Sequence, residues 1–102
     1  MGRLAQLTKL LEADPRDAFV LYGIAQEHAK AGRHGEAVEW FDRCLAVDAA
    51  YCYAYYHKAK ALEADGKQEH AIETLRSGLG AARKAGDQKA MSEMRGFLDE
   101  LE

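Results

Sequence analysis

Apolar positions along this chain recur at helical intervals in six consecutive stretches. In the first, Leu4, Leu7, Leu10 and Leu11 share one side. Asp14-Pro15 ends it, because the proline ring pushes the preceding residue out of the α region. Asp17 then stands where an N-cap is needed. The second stretch, about 18–31, carries Leu21, Ile24, Ala25 and the ring of His28 at i, i+3, i+4, i+7. It ends at Gly32, where a left-handed backbone costs glycine nothing. A third helix is predicted from about His34 to Val47, on the stripe Ala37, Val38, Phe41, Cys44 and Leu45. Tyr55, Ala59 and Leu62 mark a fourth and Gly66 its turn. Ala71, Ile72, Leu75, Gly78 and Leu79 mark a fifth, which Ala81 and Ala82 extend to about Ala85. Gly86-Asp87 reads as a stop followed by a cap, and Ala90, Met94, Phe97, Leu98 and Leu101 share one face of the last helix.

These stretches are not independent. Tyr22, Ala25, Gly32, Ala37, Glu39 and Leu45 recur identically 34 residues later as Tyr56, Ala59, Gly66, Ala71, Glu73 and Leu79. The same shift pairs Phe19 with Tyr53, Leu21 with Tyr55, Arg33 with Lys67, Val38 with Ile72 and Phe41 with Leu75, keeping size and polarity in step. A fixed period of this length marks a stacked repeat, and a stack offers an extended surface rather than a catalytic pocket. Gly78 falls in the slot of Cys44, so close helix contact is expected there.

Composition narrows the function classes. The 102 residues suffice for one domain, and 48% are hydrophobic, far from a disordered segment. Fourteen basic and 17 acidic residues are interspersed, with a net charge of −3. That balance argues against non-specific nucleic-acid binding, which needs a clustered basic face. The run Tyr51–Lys60 mixes aromatics with Lys58 and Lys60 but lies in an acidic chain. No apolar run is long enough to span a bilayer, and the first residues do not read as a secretory signal. Cys44 and Cys52 read as reduced thiols of a cytoplasmic protein. His28, His34, His57 and His70 have no metal-ligand spacing with one another or with the cysteines, so no metal or other cofactor is expected. Ser77 and Ser92 lie in no nucleophile elbow, and Gly78-Leu79-Gly80 lies inside a helix pattern rather than a phosphate-cradling loop, so no enzyme is expected.

The slots Leu21/Tyr55, Ala25/Ala59, Gly32/Gly66, Ala37/Ala71, Phe41/Leu75 and Cys44/Gly78 resemble those of the tetratricopeptide repeat family. The family's usual tryptophan, mid-helix tyrosine and closing proline are replaced here by Leu21/Tyr55, His28/Leu62 and Ala49/Arg83. The resemblance implies an all-α, right-handed α-α superhelical repeat stack. Residues 1–17 would form an N-terminal half-repeat helix, 18–51 and 52–85 two complete helix-turn-helix repeats, and 86–102 a C-terminal capping helix. Tyr55 is expected to be buried between helices.

In that family the inner, concave surface is lined mainly by the first helix of each repeat and often holds a peptide or helix of a partner protein. Carried over by slot, the inward residues are Phe19, Tyr22, Gly23, Gln26 and Lys30, then Tyr53, Tyr56, His57, Lys60, Glu63 and Ala64. Phe19 and Tyr22 above Tyr53 and Tyr56 would form a four-ring ladder, suited to partner side chains or to packing between repeats. The slots with which some members clamp a chaperone-tail carboxylate hold Tyr22, Gln26 and His57, with Lys60 the one cation, so that clamp is not expected. The expected function is a protein–protein interaction module, with no nucleic-acid or membrane partner. The alternative is a structural module that self-associates through its repeat ends, using an open face around Leu4, Leu7 and Leu11.

Overall fold

A computed structural model describes residues 2–102, which form six helices with no strand among them. They are α1 (Arg3–Ala13), α2 (Ala18–Lys30), α3 (His34–Val47), α4 (Cys52–Ala64), α5 (Gln68–Ala85) and α6 (Gln88–Leu101). None is long and apolar enough to cross a membrane. Each helix packs on the next, and α2 also touches α4 while α4 touches α6, so the chain is an all-α repeat stack.

Two kinds of turn alternate, and local chemistry dictates both. Within the α2–α3 and α4–α5 hairpins, and again between α5 and α6, the helix stops at a glycine: Gly32, Gly66 and Gly86 have φ of 79°, 78° and 71°. The amides of Arg33, Lys67 and Asp87 return to the carbonyls of His28, Leu62 and Ala82 at 2.9, 2.8 and 2.9 Å, a Schellman closure in all three cases. The other turn is built by an aspartate that folds onto its own backbone. Asp14 Oδ1 accepts from the Arg16 amide at 3.2 Å, and Asp48 Oδ1 from the Ala50 amide at 3.0 Å. At the third such position the residue is Ala82, which offers no acceptor. The helix therefore continues to Gly86, and α5 has 18 residues where α3 has 14. That extra turn displaces α6 from the 34-residue register. Asp17 and Asp87 cap α2 and α6, accepting from the amides of Val20 and Ala90 at 3.2 and 3.0 Å.

The core follows the repeated slots. Ala25, Ala37, Ala59 and Ala71 are fully buried, as are Phe41 and Leu75, so small residues set the helix separation and large ones fill it. Gly78 is the tightest point. A Cβ there would lie 2.6 Å from both Met94 Sδ and Tyr55 Cβ, so the slot that holds Cys44 in the first hairpin has no room for a side chain in the second.

Two expectations need correction. Tyr55 is only half-buried: its Cβ abuts Gly78, but its ring runs out to the α3–α4 turn, where the hydroxyl donates to the Ala49 carbonyl at 2.9 Å. A tyrosine seeks an acceptor, and the nearest one lies at the rim. The leucine face of α1 is not open either. Leu7 is buried with Val20 and Ile24, and Leu4 and Leu11 pack alongside. Leu10 is the leucine left outside, at 56% exposure.

Candidate functional site

The first helices of the hairpins, α2 and α4, together with α6, line one wall. Aromatic rings run across it. Tyr51 meets Tyr22 at 4.9 Å between centroids, Tyr22 meets His57 at 5.8 Å, His57 meets Tyr56 at 5.2 Å, and Tyr56 meets Phe97 on α6 at 5.9 Å. Phe41 backs the row, 5.9 Å from Tyr22 and 6.4 Å from His57. The four-ring ladder expected from the repeat is thus not how the rings pair. His57, beside Tyr56 on α4, inserts towards α2 and becomes the bridge, because successive helical residues point about 100° apart. Of the expected pairs, Tyr53 and Tyr56 do meet, at 6.4 Å, whereas Phe19 projects into solvent at 63% exposure.

The remaining expected residues are distributed as follows. Gln26 Nε2 donates to Tyr22 Oη at 3.3 Å. Lys30 lies 3.4 Å from Glu27, which also pairs with Arg3 at 3.4 Å. Gly23 is not on the wall. It is buried beneath Leu7, whose methyl carbons lie 3.2 and 3.3 Å from where a Cβ would be. The Lys60 ammonium sits 5.2 Å from the centroid of the Tyr56 ring. Glu63 is exposed one turn further on, and Ala64 is exposed at the end of α4.

Between α4 and α6 the wall opens into a cleft of about 500 Å³, lined by Tyr56, Lys60 and Glu63 on one side and Glu93, Phe97 and Glu100 on the other. Gly96 also lines it, and a Cβ there would meet nothing within 4 Å, so the cleft lies open along α6. Slot-by-slot transfer from the repeat does not reach the α6 residues, because the longer α5 shifts α6 off the 34-residue register. Their own spacing (93, 96, 97, 100) carries the signal of a helical face. Tyr51, which closes over Tyr22, was missed because it precedes its helix.

Titration follows burial. The Tyr22 hydroxyl is pushed up to about 12, by burial first and then by Tyr51. The His57 imidazole is pushed below the usual histidine value by burial and then by Lys60, with Glu93 opposing. A neutral ring is what an aromatic row accommodates. The thiols are occupied elsewhere: Cys44 Sγ donates to the Ala18 carbonyl at 3.4 Å and Cys52 Sγ to the Ala50 carbonyl at 3.3 Å. His28 faces away from the wall, where it accepts from Arg33 Nε at 2.9 Å and stacks on Trp40 at 6.2 Å.

The tetratricopeptide repeat family profile matches residues 20–51 and 53–84. A TPR repeat-containing protein of Pseudomonas aeruginosa is 30% identical over 96 residues, covering 94% of this chain and 91% of the relative. Among solved structures, a tetratricopeptide repeat domain protein from Salinibacter ruber is 35% identical with a TM-score of 0.80, over 87% of this chain and 90% of that one. PcrH, solved in complex with the chaperone binding region of PopD, superposes with a TM-score of 0.89 over 96% of this chain and 74% of that one; at 15% identity the likeness is one of fold. The chain belongs to the tetratricopeptide repeat family.

Proposed function

We propose that this chain is a non-enzymatic protein-interaction module that holds a segment of a partner protein along the wall of α2, α4 and α6. Phe19, Tyr22, Gln26, Lys30, Tyr53, Tyr56, His57, Lys60 and Glu63 would form the contact surface, extended by Phe97. The observation that carries this reading is the aromatic row that crosses three helices and ends in an open cleft. Rigid rings give large apolar contact with few rotamers to freeze, which suits recognition of a partner side chain. PcrH, of the same fold, is solved with a partner's segment, which supports this use of the architecture. Two buried free thiols support a reducing, cytoplasmic setting.

The test is capture of partners from the native cell with mass spectrometry, using the parent and a Tyr56→Ala/Phe97→Ala variant. The expected result is that the captured set falls by roughly tenfold or more for the variant, while its helical circular dichroism is kept. Equal capture by a folded variant rejects the wall as the binding surface.

Self-association through the repeat ends is a second reading, and Leu10 is the observation that favours it. With Leu7 buried, such a contact has little beyond that one side chain to cover. Leu10→Glu lowers the sedimentation coefficient at high concentration under this reading and leaves it unchanged under the first.

A further inference from the structure

The cleft between α4 and α6 carries a charge pattern that apolar contact alone does not require. Three carboxylates, Glu63, Glu93 and Glu100, line it against one cation, Lys60. None of the three is ion-paired among the described residues; the salt bridges join other groups. Their aromatic companions already receive a positive charge, since Lys60 sits 5.2 Å from the Tyr56 ring centroid. Phe97 meets Tyr56 edge-on at 5.9 Å, and both rings line the cleft. Glu93 is half-buried, so its field is less screened than that of an exposed carboxylate.

We propose that this cleft selects partners of positive charge: it takes an arginine or lysine side chain from the bound segment, beside an apolar residue resting on Tyr56 and Phe97. The proposal rests on the reading of the wall as a binding surface and names the partner chemistry that reading lacks. Arginine fits best, because its planar guanidinium forks onto carboxylates and stacks on aromatic faces together. An acidic segment meets three like charges and is excluded, and nucleic-acid phosphates are excluded for the same reason.

The experiment selects a random phage-displayed peptide library on the full chain and on a Glu93→Lys/Glu100→Lys variant, both checked by circular dichroism. Enriched peptides are then synthesised and titrated against each protein and against Tyr56→Ala. The parent is expected to enrich arginine- and lysine-bearing peptides, bound about tenfold more weakly by the charge-reversed variant and more weakly again as salt is raised. Neutralisation by Glu63→Gln or Glu100→Gln should cost about threefold each, as expected for an exposed pair. Charge-neutral or acidic peptides that lose binding in Tyr56→Ala would overturn the basic-partner proposal and leave the wall intact as a binding surface. An absence of enrichment, or binding indifferent to Tyr56→Ala, would overturn both.

Discussion

Tyr22 and Tyr56 occupy the same slot 34 residues apart and are both half-buried, yet their surroundings differ. Tyr22 is closed in by Tyr51, Phe41 and His57. The residues 34 positions beyond those three are Ala85, Leu75 and Met91, none of them aromatic. Around Tyr56 the equivalent space is left as the cleft towards α6. A repeated residue therefore does not carry a repeated role. Its neighbours decide whether the ring is enclosed by other rings or borders a cleft, and they differ between the two hairpins.

The sharpest way to break this comparison is to truncate both rings. Tyr22→Ala should cost about 3 kcal/mol in chemical denaturation, because it opens a cavity among packed rings. Tyr56→Ala should cost about 1 kcal/mol, since one side of its ring already faces the cleft. Equal losses would mean that the two rings do the same job.

Close packing sharpens it next. Gly78→Ala should destabilise by about 2 kcal/mol, because a Cβ at 2.6 Å from Tyr55 Cβ forces α4 and α5 apart. Cys44→Ala, at the same slot of the first hairpin, should cost about 1 kcal/mol for a lost sulfur contact. Thermal melts of the two variants compare the joints directly, and a Gly78→Ala melt above that of the parent would contradict the packing described.

The smallest effect is protonic. His57 is held below the usual value of 6.5 in the folded chain, chiefly by burial. The unfolded chain therefore takes up this proton first, so stability should fall as pH drops below 6.5, until His57 itself is protonated in the fold. His57→Gln should flatten the stability–pH curve relative to the parent across that interval, measured by urea denaturation. A steeper curve for the variant would reverse the assignment.

The parts of the molecule legible in the sequence are those set by local chemistry. Gly32, Gly66 and Gly86 end helices because glycine alone enters the left-handed region freely, and Asp17 and Asp87 cap because a short carboxylate reaches the N3 amide. Ala25, Ala37, Ala59 and Ala71 are core because the period places them at helix crossings. The wall was harder to read. Slot transfer brought Tyr22, Tyr56, His57 and Lys60 to it, but put Gly23 there as well, because it takes no account of Leu7 arriving from α1. Glu93, Phe97 and Glu100 depend on the shifted register of α6, which follows from the missing aspartate at position 82. That cue is one residue in a helix, and its effect appears only six residues later.

Trp40, the single tryptophan, stacks with the His28 ring at 6.2 Å and carries the Arg43 guanidinium over its ring at 4.1 Å. It packs against the clusters centred on α1, α2 and α3, and has no part in the layer that holds α6. Its fluorescence is therefore a gauge of the amino-terminal half of the stack. Fraying that begins at the carboxy-terminal end passes unseen in the indole emission and registers in the backbone dichroism, so a gap between the two melting curves would read out the direction in which the stack comes apart.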